Sequence, residues 1–76
     1  MSSLHVPIRP TWLCAGCGWE YPCYTRRAQL AAEYEEAPVS LAVFMGVQFA
    51  DAAEDLADAR PGDLYARFLG WVREPR

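Results

Sequence analysis

The feature that most limits this chain is a trio of cysteines, Cys14, Cys17 and Cys23, set in a stretch that cannot form a long helix. Pro7, Pro10, Pro22, Gly16 and Gly18 fall among residues 1–23. Proline fixes φ and lacks an N–H, so this segment must run as extended chain and turns. The chain has 76 residues. Below ~80 residues a single apolar core rarely supplies more than ~3–5 kcal/mol, so a staple is needed. The cysteines are the candidate staple.

Two cysteines separated by two residues can place both sulfurs on one side of a tight turn. Gly16 and Gly18 tolerate the positive φ angles that such a turn requires. Cys23 follows Pro22 at the start of a helix-forming run, where the helix dipole and free N–H groups favour a thiolate. A knuckle followed by a helix-start cysteine is suited to zinc, and three thiolates leave one tetrahedral position. The single histidine, His5, lies nine residues before Cys14 in a stretch long enough to reach it. The predicted site is therefore one structural zinc held by His5, Cys14, Cys17 and Cys23, with Glu20, Asp63 or water as the alternative fourth ligand.

Other uses of these cysteines fit less well. A thioredoxin-like pair sits at a helix N-terminus after a strand, whereas glycines interrupt any helix here and no strand pattern precedes. An iron–sulfur cluster wants four cysteines. A catalytic zinc needs a general base in a pocket, and Glu20 is the only close acid. An odd cysteine count behind a start without basic and apolar regions argues against a secreted disulfide framework, so the expected compartment is the cytoplasm. No window approaches ~18 apolar residues, so no membrane span is expected.

Composition is 53% hydrophobic and 22% charged, which is globular. The predicted fold is mainly α and a single domain over residues 1–76, a zinc loop at 1–23 followed by three helices at 23–36, 39–59 and 63–70. Leu30, Ala31 and Tyr34 give the first helix its apolar side. Leu41, Met45, Phe49, Ala52 and Leu56 step by three and four along the second, widened by Phe44, Val47 and Ala53. Pro38 or Ser40 starts that helix, and Pro61 and Gly62 break the chain after it. Asp63 is the candidate cap of the third helix, Leu64, Tyr65, Phe68 and Leu69 its buried side, and Gly70 its stop. Leu41, Phe44, Met45, Phe49, Leu56, Leu64 and Phe68 offer an independent apolar set, so partial survival of the helices without the metal loop is expected.

His5, Arg9-Pro10-Thr11-Trp12, Cys14-x2-Cys17-Gly18, Tyr21-Pro22-Cys23, Arg27-x2-Leu30 and the tail Leu64-Tyr65-x-Arg67-Phe68-Leu69-Gly70-Trp71 together carry a resemblance over nearly the whole chain. The sequence resembles a family of short, mostly uncharacterised actinobacterial proteins of zinc-finger-like pattern, some bearing an automatic "flavin reductase" label. The resemblance implies metal binding by the histidine and three cysteines at these positions. A flavin enzyme would need a phosphate cradle such as G-x-G-x-x-G and a sheet to hold the cofactor, and neither is visible.

Charge is divided unevenly. Residues 1–30 carry +2 and residues 31–76 carry −5, with no lysine anywhere. Trp12, Trp19 and Tyr21 are predicted to pack around the metal loop and shield it. With Arg9, Arg26 and Arg27 they offer, alternatively, a stacking platform for single-stranded nucleic acid. The acidic remainder disfavours that reading. No Ser–His, Cys–His or paired-carboxylate arrangement is left for acid–base work once His5 is a ligand. The expected function is a zinc-binding accessory or regulatory module acting through a protein partner. The acidic face of the second helix and an aromatic tail ending at Trp71 would meet it, with Arg26 and Arg27 as a separate positive patch.

Overall fold

A computed structural model describes residues 4–72. The first residues, read above for a leader, and the charges of Arg73, Glu74 and Arg76 lie outside the described residues. The order is β1 (Pro7–Ile8), β2 (Leu13–Cys14), α1 (Tyr24–Glu33), α2 (Pro38–Asp55) and α3 (Pro61–Phe68). This is the mainly α architecture behind an N-terminal knuckle that the sequence predicts.

The two strands are a departure from that prediction. They pair antiparallel with Pro7 opposite Cys14 and Ile8 opposite Leu13, and Leu13 bridges onward to Glu20. Two-residue strands are too short to leave an alternating pattern, which is why none was visible. Trp12 turns the chain between them at φ 59°, a left-handed conformation uncommon for a bulky residue. It is held there at both ends. Its N–H reaches the Ile8 carbonyl at 2.7 Å, and its indole N–H donates to Asp55 on α2 at 2.7 Å.

Every helix differs from its predicted bounds by a few residues, for identifiable reasons. α1 begins at Tyr24 with Cys23 as its N-cap, and it stops at Glu33 rather than Glu36. Glu33, Glu35 and Glu36 crowd its C-terminal end, where the dipole disfavours negative charge and no basic residue compensates. α2 ends at Asp55 rather than Ala59 in the same setting, after Asp51 and Glu54 and with no basic residue in its last turn. Its start belongs to Pro38 at the first helical position, and Ser40 lies inside the first turn rather than capping it. Pro61 and Gly62 do not break the chain. Pro61 opens α3, Asp63 sits in its first turn instead of capping it, and Arg67 lies in its last turn, both favourable to the dipole. α3 closes at Phe68, and Gly70 follows because a Cβ there would meet the Ala66 carbonyl oxygen at 2.7 Å.

The described chain is a slab of 34 × 33 × 15 Å. One helix is about 10–12 Å across with its side chains, so a slab this thin has little interior. Its core is Leu30, Leu41, Met45, Ala52, Leu64 and Phe68 from the helices together with Trp12 and Tyr21 from the loop. Phe68 is the junction, edge-on to Trp12 at 5.5 Å between centroids and tilted against Tyr21 at 6.4 Å. The helical apolar set is therefore not independent of the N-terminal segment. Trp19, by contrast, is 75% exposed and outside the core, and Val47 and Ala53 are exposed instead of widening the core face of α2. Trp71 packs half-buried against the core, as do Tyr34, Phe44 and Leu69.

Polar contacts bind the two parts as well. Arg67 of α3 donates to the Tyr21 carbonyl at 2.6 Å and to the Trp12 carbonyl, and pairs with Glu20 at 3.5 Å. Burial lowers its pKa, Glu20 opposes that, and Arg27 adds to the fall. Arg9 pairs with Asp55 at 2.7 Å, and the Tyr21 hydroxyl donates to Gln48 at 3.0 Å. None of the described helices is long and apolar enough to cross a membrane.

Candidate metal centre

The folded N-terminal segment brings His5, Cys14, Cys17 and Cys23 together, with one donor atom from each and all four within 4.8 Å of one another. Each arrives by a different local device. Cys14 ends β2, where its N–H bonds to the Trp19 carbonyl at 2.7 Å and fixes the strand beside its neighbours. Cys17 follows on the knuckle turn, which closes by Gly18 N–H to the Cys14 carbonyl at 2.8 Å. Gly18 supplies the left-handed residue of that turn at φ 78°. Gly16 is required for a different reason than turn geometry. A Cβ there would sit 2.8 Å from the Leu4 carbonyl oxygen and 3.2 Å from the His5 ring, so its absence is what lets the His5 strand lie across the knuckle.

His5 presents Nδ1 to the sulfurs, 3.2 Å from Cys14 Sγ and 3.2 Å from Cys23 Sγ. Cys23 is both cluster member and helix cap, for its sulfur also accepts the Arg26 N–H at 3.4 Å. A charge on that sulfur thus lies at the positive end of α1. Cys14 and Cys23 are buried at 1% and 4% exposure, while Cys17 is exposed.

The electrostatics of the trio are those of crowded thiols. Burial opposes the Cys14 thiolate, but N–H groups of Cys17 and Gly16, with His5 and the Cys17 side chain, bring its pKa down to about 7. At Cys17 the Trp19 N–H favours the thiolate, and burial together with the Cys14 and Cys23 sulfurs outweighs it and raises the pKa. Negative charges this close repel one another unless a cation lies among them. The donor set is sulfur and imidazole, which can hold a metal ion of soft or borderline character.

Neither alternative acid is among the four converging donors. Glu20 faces Arg67, and Asp63 stands on α3. Four residues with supporting roles were not visible in the sequence as such. Asp55 and Gln48 anchor Trp12 and Tyr21, Arg67 ties both of their carbonyls, and Arg27 donates to the Pro22 carbonyl at 3.0 Å. Except for Arg27, their partners are remote in sequence, so only a tyrosine or tryptophan wanting a polar partner hinted at them. No protein-family model, curated protein or solved structure matches the chain.

Proposed function

We propose that this chain is a small module stapled by one structural zinc ion and that it works through a protein partner, with no catalysis of its own. The observation that carries the zinc reading is the convergence of one imidazole and three sulfurs within 4.8 Å. Zinc bonds of about 2.3 Å to sulfur and about 2.0–2.1 Å to nitrogen space tetrahedral ligands about 3.5–3.8 Å apart. The 3.2 Å and 4.8 Å limits of the cluster bracket that spacing. His5, Cys14, Cys17 and Cys23 would fill four positions, which leaves no place for a substrate. The zinc would lock β1 against the knuckle and the knuckle against the cap of α1.

The partner reading rests on the outer face of α2. Val39, Val43 and Val47 recur every fourth residue and are 57%, 63% and 59% exposed. Glu35 and Glu36 precede that stripe, Asp51, Glu54 and Asp58 follow it, and none of the five forms a salt bridge among the described residues. Arg26, Arg27 and Arg67 are half-buried, and Arg9, though exposed, is paired. Arg9 is on Asp55, Arg67 and Arg27 are on main-chain carbonyls, and Arg26 contacts Gln29. Arg26 and Arg27 therefore offer little free positive surface. An apolar stripe between acidic ends suits a protein segment with apolar side chains flanked by Lys or Arg.

Metal analysis and X-ray absorption test the first half, with one zinc per chain and three sulfurs and one nitrogen as the result. A chain fully folded in chelator without metal would end it. Capture from the native host tests the second half. A protein held by the wild type should be lost with Val43→Asp, whereas salt-sensitive binding of random RNA or DNA, unaffected by that change, would favour a nucleic-acid regulator.

A further inference from the structure

The four donors differ in access. His5 is half-buried, Cys14 and Cys23 are buried at 1% and 4% exposure, and Cys17 is exposed. Beside Cys17 lies an open groove of about 520 Å³ whose walls include Trp19, Pro22, Tyr24 and Arg27, with Cys17 and Cys23 both on its surface. Trp19 and Tyr24, at 75% and 89% exposed, border it without closing it. The same groove therefore gives a small molecule access to one exposed sulfur while a second, buried sulfur lies within 4.8 Å of it. Cys14 does not line this groove and lies inside the small sheet.

We infer that Cys17 is a modification site for hydroperoxides and that Cys23 is its resolving cysteine, so that oxidation through this groove opens the metal centre. The inference rests on the zinc reading given above and deepens it. A hydroperoxide enters the groove and the Cys17 sulfur attacks its outer oxygen. A sulfur–oxygen bond forms, the oxygen–oxygen bond breaks, and the alcohol or water leaves with a proton. Cys17 is then a sulfenic acid. The Cys23 thiolate attacks that sulfur, a disulfide forms, the sulfur–oxygen bond breaks, and hydroxide departs as water after taking a proton. The two sulfurs together lose two electrons and the peroxide gains them. The metal ion is neither oxidised nor reduced, and it is left with Cys14 and His5 alone.

The consequence follows from the double position of Cys23. It caps α1 and borders Tyr21-Pro22, whose ring and carbonyl belong to the core and to the Arg67 bond. Oxidation would release the hold of the metal on His5 and β1, while the Cys17–Cys23 bond still ties the knuckle to the cap of α1.

The test uses the full reduced, zinc-loaded chain with hydrogen peroxide as the probe. Zinc released to a chromogenic chelator, product mass and the mapped disulfide are read together. The expected result is one zinc per chain released in step with a loss of two hydrogens, and a Cys17–Cys23 link that a thiol reductant with added zinc reverses. Brief alkylation of the native chain by iodoacetamide should label Cys17 at least tenfold faster than Cys14 or Cys23. Label entering Cys14 as fast, a disulfide that includes Cys14 as the main product, or oxidation to sulfinic acid without a disulfide would each overturn the inference. A chain that holds no zinc and still closes Cys17–Cys23 sinks the zinc reading and the opening of a metal centre with it, and leaves the peroxide-sensitive cysteine pair standing. A zinc-loaded chain that is oxidised elsewhere sinks this inference alone.

Discussion

Residues 4–23 and 24–72 are held by different physics. The first region has two strands of two residues each and is organised by a sulfur–imidazole cluster, turns and single hydrogen bonds. The second has three helices whose apolar sides meet. The difference suggests two separable parts, and the contacts say otherwise. Trp12 and Tyr21 reach from the first region into the core of the second, and Phe68 and Arg67 of the second lie against both. In a slab 15 Å thick the helices have too little interior of their own, so aromatic rings from the loop complete it.

The sharpest way to break that comparison is to remove the staple. On the proposed zinc reading, Cys14→Ser should abolish metal binding and unfold the whole chain, not only its N-terminal third. Structural zinc contributes about 10–16 kcal/mol to metal-dependent folds, more than a core of this size can replace. Far-UV and near-UV circular dichroism should collapse together. Helical signal kept at half or more, with the tryptophan signal lost, would mean that the two regions are independent after all.

Next in size is the junction itself. Phe68→Ala should cost about 3–5 kcal/mol in denaturant unfolding, measured with zinc supplied as the proposed metal. Because the lost ring also packs Trp12 and Tyr21, zinc should be easier for a chelator to remove as well. An unchanged zinc affinity would separate packing from metal binding.

Arg67→Ala comes third, at about 2–4 kcal/mol, because two main-chain carbonyls lose a charged donor. Arg67→Lys should rescue little of this, since one ammonium lacks the fork that spans both carbonyls and Glu20. Full rescue by lysine would show that charge alone matters there.

The smallest effect is at the surface tie between Asp55, Arg9 and Trp12. Bonds from Arg9 and Trp12 hold the Asp55 carboxyl below its ordinary value of 3.8. A depressed carboxyl stabilises the fold fully above its unfolded pKa, and that contribution disappears as pH falls through the folded value. Asp55→Asn should therefore melt earlier than wild type at pH 6, and the two curves should converge in strong acid. Equal melting at every pH would remove this link from the account.

The sequence by itself determined the composition of the candidate centre and the helical class. A single His and three Cys at knuckle and helix-start spacing are local signals, set by turn chemistry and by the needs of a tetrahedral ion. Pro38 is legible for the same reason, because its effect on the backbone acts at its own position. Helix ends were less legible, since carboxylates at the C-termini of α1 and α2 compete with good helix-forming residues over a few residues of chain. Tertiary structure alone decided the fate of the aromatics. Trp12 and Trp19 have the same side chain, seven residues apart, yet one is 2% and the other 75% exposed. What separates them is Asp55 and Phe68, more than forty residues away, which give one indole a hydrogen-bond partner and a ring to pack on. The access of Cys17 was decided in the same way. Spacing places a sulfur on a turn, but only the packing of strands and helix around that turn buries two of three and leaves the third open.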